Sequence, residues 1–155
     1  MSDVKDLEPY AGNAEGLTGV LEDLRATMPS SIVFKVVGYK VNAFENVTQG
    51  DVLYSRTSDG QVGKAIANDT LDKAVVAGIA ETTVTAGNEV RVIVTGQVAV
   101  STSIDPGDMY FLSAASAGSL TKTPPTTAGH YVTLVGEAST ATDLAIHTEP
   151  PVLLR

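Results

Sequence analysis

The sequence predicts a mainly β fold, a small barrel or sandwich of about ten short strands from two similar halves, with an N-terminal arm containing one short helix. Three observations carry that expectation. From Ser31 onward the apolar residues alternate with a period of two, in runs filled by Val, Ile, Thr and Tyr, as half-buried strands require. Turn-forming clusters break these runs at close spacing. One strand–turn unit is also written twice.

Residues 1–30 stand apart from the rest. Asp3 to Gly16 mixes Pro9, Gly12, Asn13 and Gly16 with scattered acids and reads as an extended arm. Leu17, Val20, Leu21, Leu24 and Met28 then recur at helical spacing, with Glu22, Asp23 and Arg25 on the other side and Pro29 ending the run. A helix of about a dozen residues is marginal alone in water. Burying its few large apolar side chains returns about 1.5–3 kcal/mol each, against about 1–2 kcal/mol per residue for ordering the backbone. It must dock on its own β domain, on a neighbouring subunit or on another protein. Leu17, Val20, Leu21 and Leu24 are therefore the candidate partner-binding residues.

Residues 31–155 form the β domain, its halves running over about 31–94 and 95–155. Ile32, Phe34 and Val36 alternate with Val33, Lys35 and Val37; Val90, Val92 and Val94 with Arg91 and Ile93; Tyr131, Thr133 and Val135 with Val132 and Leu134. Turns fall at Thr48-Gln49-Gly50, Ser58-Asp59-Gly60, Ala86-Gly87-Asn88, Asp105-Pro106-Gly107, Pro124-Pro125 and Ala128-Gly129. Gly38 and Gly96, inside apolar stretches, are each a Gly-first hairpin turn or a bulge.

The repeat runs through these elements. Gly50-Asp51 precedes Val52, Leu53 and Tyr54, then the turn at Gly60, then Lys64; Gly107-Asp108 precedes Met109, Tyr110 and Phe111, then Gly118, then Lys122. Placing Gly60 on Gly118 also brings Gly78 onto Gly136, Ala80 onto Ala138 and Thr82 onto Thr140. Duplication explains this, and recurrent hairpin grammar in an all-β chain is the alternative. In both cases Gly50, Asp51, Gly60, Gly78, Gly107, Asp108, Gly118 and Gly136 read as structural turn positions.

Composition narrows the function classes. A chain of 155 residues fits one domain with a real core. It has no cysteine, so disulfides and thiolate metal sites are excluded. The acidic N-terminus lacks an apolar h-region, so no secretory signal is expected. The longest apolar run, Ala74 to Ala80, is far short of a membrane span, so a soluble protein with no membrane partner is expected. A formal charge of -8 argues against nucleic acid, whose phosphates need a basic face. Residues 1–30 hold six acids against two bases, which suits a basic partner surface as well as solubility. Aromatics at 5% with no Trp disfavour stacking on bases or sugars.

No chemistry-bearing motif stands out. His130 and His147 show no HxH or HExxH spacing, so no metal site is assigned. There is no GxSxG, and Gly60-Gln61-Val62-Gly63-Lys64 is too short for a phosphate loop. Asp51 and Asp108 would suit paired acid–base work only if the fold brought them within about 5–9.5 Å. Capping a turn is the plainer reason for a Gly-Asp pair before each strand. Lys64 and Lys122 read as edge or solvent-face lysines, and Asp59 has too few neighbouring ligands for calcium. No catalytic residue and no cofactor are assigned.

The string Gly60 to Lys64, then Val75-Val76-Ala77-Gly78-Ile79-Ala80, a polar loop, and Glu89 through Val98 resembles the capsid decoration (cement) proteins of tailed bacteriophages. Gly107-Asp108 through Gly136-Glu137-Ala138 is similar to modules of phage head-fibre and other virion proteins. The resemblance covers about residues 50–140 and rests on glycines and β-branched residues. It implies a structural virion protein, not an enzyme, made in the host cytoplasm. Such a protein binds the outer surface of an assembled capsid, often as a trimer, and bridges major capsid protein subunits. The doubled module and the helix in the arm depart from that pattern and leave the oligomeric state open. A tail, baseplate or head-fibre component or adhesin is the alternative, followed by a β-barrel enzyme or ligand carrier.

Overall fold

Residues 35–155 are those described by the computed structural model; the helix read over Leu17 to Met28 and the strand read from Ile32 to Phe34 lie outside them. Eleven strands and one helical turn follow in order: β1 (Val37–Asn42), β2 (Val52–Ser55), β3 (Val62–Lys64), α1 (Leu71–Ala74), β4 (Gly78–Ala80), β5 (Glu89–Ala99), β6 (Met109–Leu112), β7 (Leu120–Thr121), β8 (Tyr131–Val132), β9 (Leu134–Ala138), β10 (Asp143–Ile146) and β11 (Val152–Leu153). They make one curled antiparallel sheet with strand order β3-β2-β4-β5-β10-β9-β6-β7, β1 pairing on β5, plus a small β8–β11 ribbon.

That order mirrors itself about the centre, and the registers show why. In the first half Val52 faces Ile79 and Leu53 faces Gly78; in the second, Met109 faces Glu137 and Tyr110 faces Gly136. Ser55 faces Val62 as Leu112 faces Leu120. Ala80 faces Val92 as Ala138 faces Leu144. Apart from the β8–β11 ribbon, which belongs to the second half alone, the strand pairs of one half have counterparts in the other. β5 is shared between them: its first stretch pairs with β4 and β1, its last with β10. Gly96, inside β5, takes φ +103° where that change occurs, and Val36 presses so closely there that a Cβ would meet its Cα at 2.8 Å. Neither glycine left open as a turn or bulge sits in a hairpin turn: Gly38 lies at a register shift in β1, the bulge alternative, and Gly96 is a kink.

Period-two alternation places the core. Leu53, Val62, Ala80, Val90 and Val92 pack with Ala43 and Val47 into one cluster. It is enclosed because Ala43, just past β1, reaches Val62 of β3 in a parallel bridge and closes the first half's curl. The residues between them on the same strands, Val52, Tyr54, Ile79 and Ile93, point the other way and join Val100, Ile104, Tyr110, Leu112, Val135 and Leu144 in a larger cluster. The outer face of the first half thus fills the inner face of the second. Burial of side chains this size is worth about 1.5–3 kcal/mol each.

The apolar run Ala74 to Ala80 is divided between two elements: α1, which Thr70 caps by accepting the Lys73 N–H, ends at Ala74, and β4 begins at Gly78. The run from Tyr131 to Val135 keeps its alternation but is divided into two strands at Thr133, a fully buried residue whose hydroxyl donates to the Ala74 carbonyl at 2.9 Å. β8 leaves there to pair with β11, and β9 starts afresh beside β6.

Candidate functional site

The two Gly-Asp turns are built alike. The Asp51 N–H donates to the Thr48 carbonyl at 3.0 Å and the Asp108 N–H to the Asp105 carbonyl at 3.1 Å. Gly50 and Gly107, third in each turn, both take φ +89°, which glycine alone adopts without strain. The side chains then part company. The Asp51 carboxylate accepts the Thr48 N–H at 2.8 Å and lies against Gly118 of the other half. Burial holds its pKa above the ordinary carboxylate value, with Glu45 adding to the effect, while the Thr48 N–H and Lys64 pull the other way. Asp108 instead shares the Lys122 ammonium with Asp105, at 2.9 and 2.8 Å. Hydrogen bonds to Asp105 first, then Asp108, raise the Lys122 pKa well above its ordinary value. Each carboxylate is thus engaged within its own surroundings, one in a turn and one in a surface ion pair.

The remaining positions singled out in the sequence are structural in their contacts. Gly78 and Gly136 lie where a Cβ would strike the carbonyl oxygens of Ile93 and Ala145 on the neighbouring strands. Gly60 is open to solvent, whereas its counterpart Gly118 is buried at the seam, where its N–H donates to Ala65 at 2.7 Å and its carbonyl accepts from Val52 at 2.8 Å. The Asp59 carboxylate is taken by the Arg56 guanidinium and the Gln61 N–H. His147 contacts Glu149 at 3.3 Å on the surface. Among the described residues no three of His, Asp and Glu gather in a cluster able to hold a metal ion, and no helix is long and apolar enough to cross a membrane. Leu17, Val20, Leu21 and Leu24 lie outside the described residues.

Two hollows remain. One, of about 160 Å³, lies between the halves and is lined by Asp51, Val100, Ser101, Gly118 and Ser119. The other, of about 310 Å³, opens on the first half beside Phe44, Glu45, Tyr54 and Lys64. Phe44 carries the Arg56 guanidinium over its ring at 3.9 Å and meets Tyr54 edge-on at a centroid distance of 6.0 Å. Sequence reasoning missed this second hollow because Phe44 and Glu45 belong to no motif. Tyr54, read only as a strand residue, gave the one signal: the matching residue of the other half is Phe111.

No family model matches the sequence, and no curated protein matches it. Among solved structures the chain is similar to the head fiber gp8.5 N base of bacteriophage phi29, with 22% sequence identity and a TM-score of 0.43, over 73% of this chain and 95% of that one.

Proposed function

We propose that this chain is a structural protein of a phage virion that binds the outer surface of the assembled capsid and stabilises it by bridging major capsid protein subunits. The observation that carries the reading is the decoration-protein pattern from Gly60 to Val98. In this chain it spans β3, β4 and β5, the strands on which both core clusters rest. A fixed β body adds contact area to a shell without remodelling it. The described surface also offers somewhere to dock. β1 pairs along one edge only, with β5, and Val36, Val37 and Tyr39 on that strand or just before it are 42%, 45% and 41% exposed. The partner contact itself we assign to Leu17, Val20, Leu21 and Leu24 of the arm. A homo-oligomer, with a trimer favoured, is the assembly proposed.

Electron microscopy of particles carrying a tagged chain tests the placement: density on the shell lattice is expected, and density confined to the tail or a fibre overturns it. Stripping the protein and heating the particles tests the role. Earlier genome release is expected, since a bridging contact buries more than about 1,000 Å². Unchanged release sinks the stabilising role.

A further inference from the structure

The cleft of about 310 Å³ beside Phe44 holds polar groups that the fold leaves unpaired. Tyr54 is 5% exposed, and among the described residues its hydroxyl makes no hydrogen bond. The ring is what is buried, while the hydroxyl reaches the open cleft; the other tyrosine buried to the same degree, Tyr110, has its oxygen engaged, accepting the Asp105 N–H at 2.9 Å. Lys64 shows the same contrast. Its counterpart Lys122 is clamped by two carboxylates, yet among the described residues the Lys64 ammonium forms no ion pair. Glu45 accepts the Lys64 N–H at 2.8 Å through one oxygen and has acceptor capacity left over. Asn68 lines the same cleft.

Comparison with the duplicate half shows that the fold does not require these groups. The positions matching Phe44, Glu45 and Tyr54 are Ser101, Thr102 and Phe111. Tyr54 packs its ring into the larger core cluster, whereas Phe111 stands half-buried outside both clusters, so the polar set of the cleft is confined to the first half.

The charges in the cleft select the ligand class. Glu45 and the Asp69–Lys73 pair, joined at 2.6 Å, stand with Lys64, so acids and bases balance. An anion would meet Glu45 and Asp69, and a cation would meet Lys64 and Lys73. A neutral ligand whose hydroxyls both donate and accept meets neither penalty. The ring faces give little stacking area, since Arg56 already covers Phe44; recognition here is by hydrogen bonds, with the ring edges as apolar walls. The volume falls at the small end of ligand sites, which span about 300–1,000 Å³.

We propose that this cleft binds one neutral sugar residue of a glycan through Tyr54, Glu45, Lys64 and Asn68. The proposal stands apart from the shell-binding reading, because a virion protein can hold a sugar on its outward face wherever it sits.

The test is a titration of the isotope-labelled full chain, followed by amide NMR, with methyl glucoside, methyl galactoside and N-acetylglucosamine in turn at millimolar concentrations. At least one sugar is expected to move the amides of Glu45, Lys64 and Asn68 saturably. Tyr54→Phe, which keeps the ring in the core cluster, should weaken that binding about fivefold, the loss of one hydrogen bond. Lys122→Gln should leave it unchanged. No saturable response to any of the three sugars overturns the proposal. So does binding that Tyr54→Phe leaves intact, which would place the site elsewhere. A response to a Glu-rich peptide without a response to sugars overturns it in favour of protein docking.

Discussion

Ile79 and Glu137 hold the same place in the two halves, each paired with the residue that follows a Gly-Asp turn, yet Ile79 is fully buried and Glu137 stands in solvent. Val52 and Met109, their partners, differ in the same way, at 0% and 43% exposure. The registers of the halves are alike, so the backbone cannot be the cause. The first half presents its outer face to the second and the second presents its own to solvent, and the side chains have followed. What the halves share is therefore scaffold, and what they do not share was set by position or by function. That rule picks out Lys64, whose difference from Lys122 is not explained by burial at the seam.

The comparison breaks most visibly at Ile79. Ile79→Ala removes a side chain from the larger core cluster and should cost about 2–5 kcal/mol, whereas Glu137→Ala should stay within about 0.5 kcal/mol. Urea denaturation of both variants measures it. Equal costs would mean that the halves are not packed face to inner face as described.

A smaller asymmetry is expected at the turns. Gly50 and Gly107 share φ +89°, so Ala at either position carries the strain of the left-handed region, about 1 kcal/mol or somewhat more. At Gly107 a Cβ meets nothing nearby, whereas at Gly50 it would stand 2.6 Å from the Ser101 nitrogen and 2.9 Å from the Val100 Cα. Gly50→Ala should therefore destabilise by about twice as much as Gly107→Ala. Equal melting temperatures would mean that the segment after β5 yields freely and does not hold the seam.

What the sequence made legible follows from how local each rule is. The Gly-Asp turns, the glycine spacing of the repeat and the alternation in β5 rest on neighbouring residues, and the strand count came out near the eleven observed. Closure of the first half did not show, because the Ala43–Val62 bridge joins two short segments that carry no pattern. The break at Thr133 depends on a hydroxyl reaching the end of α1, 59 residues earlier in the chain, and α1 itself is a single turn, too brief for periodicity to register. The cleft beside Tyr54 was invisible for the same reason: Phe44 and Lys64 are brought together by pairing across the curl. Only the mismatch with Phe111 pointed to it.

The finest test of the two halves compares Asp51 with Asp108. Burial raises the folded-state pKa of Asp51 above its ordinary value of 3.8. Between that value and the higher folded one, the folded protein holds a proton that the unfolded chain has released. Stability therefore falls as pH rises through the window, and the cost is complete above it. Asp51→Asn removes the charge while its amide oxygen can still accept the Thr48 N–H. The variant should melt slightly higher than the parent at pH 7, and the gap should close as the pH falls below 3.8, where the parent carboxyl is itself neutral. Asp108→Asn should behave differently: it gives up a half-exposed ion pair with Lys122, so any change should be a small loss at pH 7 that added salt erases. Thermal melts of the two variants from pH 3 to pH 7 separate the cases. If Asp51→Asn melts lower than the parent at pH 7, the buried carboxylate is stabilising as an anion, and the contrast between the two turns has been drawn the wrong way round.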